Sequence, residues 1–495
     1  MNHHRTLAAA VACALAVGLC AGQVLADGTP DPSQIVEPPL IIAPASSPSD
    51  TQTEVPEQSA QPDVGDALPE TDTAESSALA SPSQRKPFIV EGEPVSPDIK
   101  DQQDPEGTVS FENLEKRMRE NNLTILSLDR NIESIEAIDL DEMKDSLTMA
   151  IRMLQGQQKQ LEQLVDGVGA TMSGLEGMLD AQTLALFEAT MVAYPQATIV
   201  SLQTQIDSFQ DTVSQIEDGT MEDDLNAAAS QLINIQDQVV MGGETLYLAL
   251  LGLEQTQQGL TRNLNALDRT LAQLDVRYDM GQISALTLAE AKAGRTALVS
   301  GMATLEMNMT ALRRQLEGML GEEITGTLQL QPLTAVTKDQ LAAVNYTEGL
   351  KQVKANSYDL DTANKAWADA ERAYRDLKDS KAADFEVDSA YYTAKAADLS
   401  WQAAKQSIEL SFSSLCDQIL DQQQVLEASR TTLAVKQDSF AAAQLKYAQG
   451  TISHHALLDA QDALDEAADA VDTAAIDLFT VYNNYRWAVE HGILN

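Results

Sequence analysis

The chain has 495 residues, with 75 Asp and Glu against 32 Lys and Arg and a formal net charge of −43 at pH 7. An acidic excess of that size repels phosphate backbones and anionic lipid headgroups, so nucleic acid and acidic membrane surfaces are poor partners. Aromatic residues make up 4% of the chain, too few to fill one thick globular core, whereas abundant Ala, Leu, Gln and Met suit long helices packed side by side.

In chain order the first expected element is a signal peptide over residues 1–26. It opens with His3, His4 and Arg5, runs apolar from Leu7 to Leu19 and closes on Val24-Leu25-Ala26, a small-residue pattern for signal peptidase. That run is too short for a membrane-spanning helix, and no later segment reaches the roughly 18 apolar residues one needs. Cleavage after Ala26 removes Cys13 and Cys20 and makes Asp27 the mature start; lipidation at Cys20 is disfavoured by Leu19, where a small residue is needed. Cys416 is then alone, so no internal disulfide forms, and it is expected to be a small buried residue on a helix. Residues 27–105 are dense in Pro, Ser, Thr, Asp and Glu, as in Pro44-Ala-Ser-Ser-Pro48. Such a segment buries too little apolar surface to offset its ordering entropy and reads as a disordered spacer.

The body divides into residues 106–325 and 326–495, which read as two copies of one unit. Tyr278-Asp-Met-Gly281-Gln-Ile283-Ser284 recurs as Tyr447-Ala-Gln-Gly450-Thr-Ile452-Ser453. After the first motif, apolar residues fall at Leu288, Ala291, Leu298, Met302, Leu305, Met309, Leu312 and Leu316. After the second, they fall at Leu457, Ala460, Leu464, Ala467, Val471, Ala474, Leu478, Val481 and Tyr485. Both series step 3-4-3-4, with only Arg295 breaking the first. A period of 3.5 over this length predicts a coiled-coil seam. Leu264, Leu267, Leu271 and Leu274 carry the same step into Tyr278, and Leu433, Phe440 and Ala443 carry it into Tyr447. Gly281 and Gly450 then interrupt each helix where positive φ would reverse the chain, and Ser284 and Ser453 are placed to cap the returning helix. The fold class is therefore all-α, built of long antiparallel coiled-coil hairpins.

A helix ending in Tyr-x-x-Gly-x-x-Ser, followed by Leu-x-x-Ala and an Ala-rich heptad helix, and present twice, resembles the TolC-type outer membrane efflux proteins. Val109-Ser110-Phe111 through Asn121-Asn122 resembles that family's first helix, and Asn356 its counterpart in the second half. The resemblance implies a tunnel formed by three chains, with Tyr278, Gly281, Ile283, Ser284, Tyr447, Gly450, Ile452 and Ser453 at tip turns. Those turns would dock on a periplasmic adaptor joined to an inner-membrane pump. The family's closed entrance is commonly held by a Tyr, an Arg and acidic residues near the second turn. Tyr447 and Asp459 fall on such positions and a ring of Asp459 carboxylates is implied, but Ile452, Ala456 and Thr287 stand where the Arg and two acids would be. Members also thread paired β-strands through the outer membrane. None of these is legible between Asn122 and Tyr278, and Phe385–Tyr392 is the sole strand-like patch after Asn356.

The remaining residues have blander readings. His454 and His455 are neighbours that point in different directions on a helix, a poor chelating pair. Asp459, Asp462, Glu466 and Asp469 form an acidic stripe read as a solvated face, with a tunnel lining as the alternative. Trp367, Trp401 and Trp487 are expected to pack between helices. There is no nucleophile–base pair, no metal-ligand cluster and no phosphate loop, so neither an enzyme nor a cofactor is expected. Two function classes remain open for this exported, cell-envelope protein: a TolC-like homotrimeric conduit, and a coiled-coil scaffold that encloses no pore. The sequence leaves membrane contact open.

Overall fold

The computed structural model describes residues 88–90, 104–175 and 192–494. The expected signal peptide, with Cys13 and Cys20, and almost all of the expected spacer lie outside the described residues. The described elements, in order, are β1 (Ile89–Val90), β2 (Thr108–Val109), α1 (Phe111–Asn121), α2 (Leu123–Glu136), α3 (Leu140–Leu175), α4 (Tyr194–Glu217), α5 (Thr220–Asp279) and α6 (Ala285–Met319). They continue with β3 (Gln329–Leu330), β4 (Leu333–Thr334), α7 (Lys338–Ala343), α8 (Tyr346–Asn356), α9 (Tyr358–Asp379), α10 (Asp384–Ala448) and α11 (His454–His491). No described helix is long and apolar enough to cross a membrane.

Helices α5 and α6 form one long hairpin and α10 and α11 a second. Each position of the two expected seams is buried or half-buried, including Leu288, Met309 and Leu316 on α6 and Leu457, Ala467, Ala474 and Leu478 on α11. Arg295, the break in the first series, bonds Asp268 across the hairpin, its Nη2 lying 3.1 Å from the carboxylate. At 1.5 Å per residue the 60 residues of α5 and the 65 of α10 are about 90 and 100 Å long.

The hairpins join through α5 and α11, which run antiparallel and are held by polar groups as well as apolar ones. Glu244 on α5 is 1% exposed, and its carboxylate accepts from Asn483 Nδ2 (2.7 Å), Arg486 Nη2 (2.7 Å) and Trp487 Nε1 (2.5 Å) on α11. Toward the turns, Gln255 Nε2 donates to the Asp469 carbonyl at 2.6 Å and to Thr473 Oγ1 at 2.9 Å. Arg262 then pairs with Asp469, and Arg269 with Asp462. The acidic stripe is thus not simply a solvated face, because Asp462 and Asp469 bind arginines spaced seven residues apart on the other hairpin. At the opposite end of the ladder, Asp237 accepts from Arg119 Nη2 (2.6 Å) and contacts His491 Nδ1 (2.8 Å). Burial opposes ionisation of Asp237, yet these two partners hold its carboxyl below the usual range, and the bond to Asp237 raises His491.

Around the ladder lies the main core, in which Phe111 meets Tyr247 and Phe479 edge-on, with centroids 5.6 and 4.9 Å apart, and Trp487 is buried. The two halves close this region alike. Asn122 Nδ2 donates to the Met319 carbonyl (2.7 Å) at the end of α6; Asn356 Nδ2 donates to the Val489 carbonyl (2.8 Å) at the end of α11. The glycine that ends each return helix, Gly321 at φ 69° and Gly492 at φ 70°, lies so close to the Asn121 and Asn356 backbones that a Cβ would fall 2.4 Å away. Glu317 accepts backbone N–H bonds from Thr325, Gly326, Thr327 and Leu328 and so folds the loop that leads into β3. Between the halves β2 pairs in parallel with β3, and β1 with β4. Strand β1 falls within the span read as a disordered spacer. Phe88, beside it, is 1% exposed in the main core, and its carbonyl accepts from Leu333 N at 2.9 Å. Burial of Phe88 and the half-buried Ile89 fixes this point of the chain, while Val90 is exposed.

Beyond the core, away from the turns, α3 packs on α4 and α9 on α10. The strand-like patch Phe385–Tyr392 is the first two turns of α10; its aromatic content suits a strand, but the 3.5 period that continues into α10 decides in favour of helix. Trp367 and Trp401 stack across α9 and α10 at 5.3 Å and 7°, and Cys416 is half-buried against the Val353–Phe412 cluster.

Removing the Glu244 carboxylate would leave the Asn483 amide and the Trp487 indole N–H without this acceptor and take from Arg486 the nearer of its two carboxylates, the other being Glu115 at 3.8 Å. Glu244→Ala is expected to lower unfolding stability by about 2–4 kcal/mol, read as a lower urea midpoint at unchanged slope. A loss under about 1 kcal/mol would mean that this clasp is incidental.

Candidate functional site: the two tip turns

Both turns are built from the same bonds. Helix α5 ends as Met280 N bonds the Val276 carbonyl (3.1 Å), Gly281 N the Tyr278 carbonyl (2.8 Å) and Gln282 N the Arg277 carbonyl (2.8 Å). In α10, Gln449 N bonds the Leu445 carbonyl (3.1 Å), Gly450 N the Tyr447 carbonyl (2.8 Å) and Thr451 N the Lys446 carbonyl (2.9 Å). This is the Schellman ending of a helix, and its pivot must be left-handed. Gly281 has φ 72° and Gly450 φ 71°, and a Cβ on either would meet nothing within 4 Å. Glycine is needed here for backbone conformation, not for space.

Three residues on, Ser284 Oγ accepts from Thr287 N (3.1 Å) and Ser453 Oγ from Ala456 N (3.2 Å), capping α6 and α11. Ile283 and Ile452 immediately precede these caps and are half-buried. Leu288 and Leu457, four residues after the caps, are buried. These are the two positions of a hydrophobic staple, which fixes the angle at which the chain enters a helix. Chain reversal therefore accounts for the Gly, Ile and Ser of each motif. It leaves Tyr278 and Tyr447 without a structural role: they are 41% and 42% exposed, and Tyr447 lies 5.6 Å from the ring of His454.

The turns lie level at one end of the molecule. Gly281 is twelve residues beyond Arg269 on α5, and Gly450 is twelve residues before Asp462 on α11. Each glycine thus stands about 18 Å past the same ion pair. The structure therefore gathers Tyr278, Gly281, Ile283, Ser284, Tyr447, Gly450, Ile452 and Ser453 at one end. Asp459 lies on the first turns of α11, exposed and without an ion pair among the described residues. His454 and His455 are exposed, and no group of three potential metal ligands occurs among the described residues. Sequence reasoning missed the exposed apolar pair beside the tyrosines, Val276 and Leu445 at 56% and 66% exposure. Their equal offset from each Tyr was the available signal.

No family model matches the chain, and no curated protein matches it. Solved structures do. The outer membrane channel CmeC of Campylobacter jejuni is similar at 12% identity over 58% of this chain and 68% of that one, with a TM-score of 0.42. The outer-membrane channel OprN is similar at 15% identity over 77% and 90%, at 0.40. The outer membrane protein VceC of Vibrio cholerae is similar at 13% identity over 57% and 75%, at 0.39. These are TolC-type outer membrane channels. The strands among the described residues are each two residues long.

The pivots permit a direct comparison, because the turn between α9 and α10 has a similar ending with Lys381 at φ 54°. Gly281→Ala and Gly450→Ala are each expected to cost about 1 kcal/mol, whereas Lys381→Gly is expected to gain about 0.5–1 kcal/mol. Urea midpoints of the three variants check this, and a neutral Gly450→Ala would contradict it.

Proposed function

We propose that the chain is an exported TolC-like component of an efflux or secretion system, whose copies, most simply three, form a helical conduit. Its paired tip turns would dock on a periplasmic adaptor joined to an inner-membrane pump. The observation that carries this reading is the exposed Tyr at the same place in both turns, beside an exposed Val276 or Leu445. Chain reversal requires neither. A partner that recognises two matched apolar knobs at one end of the molecule does.

The tube is supported by what one chain lacks. Two hairpins give four long helices, too few to enclose a lumen. Asp459, exposed near the second turn, would contribute a ring of carboxylates to the entrance. The alternative is a cell-envelope scaffold with the same hairpins and no pore, favoured by the shortness of every described strand.

The two readings separate at the turns. Gly281→Val with Gly450→Val places a β-branched residue at each left-handed pivot, at about 1–3 kcal/mol apiece, while the seams on either side remain whole. Circular dichroism should stay helical, and capture of the adaptor or export should fall at least tenfold. Full retention of both in the double variant would leave the turns as chain reversals and favour the scaffold.

A further inference from the structure

The far half of α10 carries two apolar stripes on opposite faces, and only one of them is covered by other described residues. The inner stripe repeats every seven residues through Val387, Ala394, Trp401 and Ile408, all buried or half-buried against α9 and the neighbouring helices. The outer stripe runs through Phe385, Tyr392, Ala396, Leu399, Ala403 and Leu410, stepping 7-4-3-4-7. Its four large members are 73%, 70%, 64% and 75% exposed. At 100° per residue, Phe385 and Val387 differ by about 200°, so the stripes are diametrically opposed.

A surface helix that packs on one side should be polar on the other. A helix with an apolar heptad stripe on each of two opposite faces is instead built to stand in a single-layer wall, with a helical neighbour on either side. The spacing also names the kind of neighbour, since knobs at 3 and 4 residues fit the holes of another helix. Lipid fits less well. Asp388 and Lys395 flank the stripe, no described helix is apolar enough to cross a membrane, and the net charge of −43 repels anionic headgroups. At roughly 150–250 Å² per aromatic side chain, the stripe offers on the order of 600 Å². Flanking side chains would bring this near the ~800 Å² per partner of a standard specific interface.

We infer that the outer stripe of α10 is the seam by which a helix of a second copy of this chain packs against it. The inference rests on the proposal that copies assemble into a conduit, and it assigns that assembly to the end of the molecule remote from the turns.

The test uses the full chain in sedimentation at tens of micromolar, with circular dichroism on the same samples. Wild type is expected to be a closed oligomer, and Tyr392→Glu with Leu399→Glu a monomer of unchanged helicity. If the glutamate variant loses helicity, Tyr392→Ser with Leu399→Ser decides: its assembly is expected to need at least tenfold more protein. Wild type sedimenting as a monomer overturns the inference, as does wild-type assembly in the folded variants. So does a monomeric wild type that floats with phosphatidylethanolamine–phosphatidylglycerol vesicles through these residues, which would make the stripe a lipid contact. Failure of the docking proposal is read separately, by adaptor capture with turn variants that keep the outer stripe.

Discussion

The antiparallel contact between α5 and α11 is the constraint from which the rest of the arrangement follows, and Glu244 is its centre. A carboxylate this deeply buried is tolerable only if its oxygens are met by donors, and three side chains of α11 meet them. Those bonds set the register of one hairpin against the other. Sliding α11 by one heptad would strip Glu244 of all three donors and leave one arginine–aspartate pair, with exchanged partners, where there are now two. Apolar seams alone tolerate such slips, because Ala and Leu recur every seven residues on both hairpins. The polar ladder thus makes the register unique, and the unique register makes the two turns level.

A matched pair of turns has consequences for recognition. Each turn is a rigid Schellman ending followed by a capped helix, so its shape is set by backbone bonds and persists without a partner. Two such shapes side by side form a pre-organised surface, and pre-organisation lowers the ordering cost of binding. At the other end the outer stripe of α10 is the seam inferred for a second copy of the chain. In the proposed reading the molecule divides by role, with recognition at the turns, register at the buried core and assembly beyond it.

Much of this was legible in the sequence because coiled coils write their packing as a period. The seams, the hairpins, the pivots at Gly281 and Gly450 and the caps at Ser284 and Ser453 all follow from spacing and local chemistry. What escaped was tertiary. The stripe at Asp462 and Asp469 looks solvated until the matching spacing of Arg262 and Arg269 is set against it, and only the fold puts those helices together. Glu244 is visible as a lone acid in the apolar run from Val239 to Leu253, but its three donors lie some 240 residues away. Phe88-Ile-Val90 was lost in a Pro- and Ser-rich context because composition averages over the few residues that anchor a segment. Phe385–Tyr392 shows the opposite error, in which aromatic content suggested a strand and the helical period prevailed.

The central claim, that the polar ladder holds the two turns level at one end, is tested most directly by a distance between them. Spin labels at Gln282→Cys and Thr451→Cys in a Cys416→Ala background, diluted with unlabelled chain, report it by double electron–electron resonance. With neighbouring helix axes about 10 Å apart, the account predicts one narrow distribution below about 30 Å. A broad distribution, or one centred beyond about 30 Å, would mean that the turns are not held level, and would contradict it.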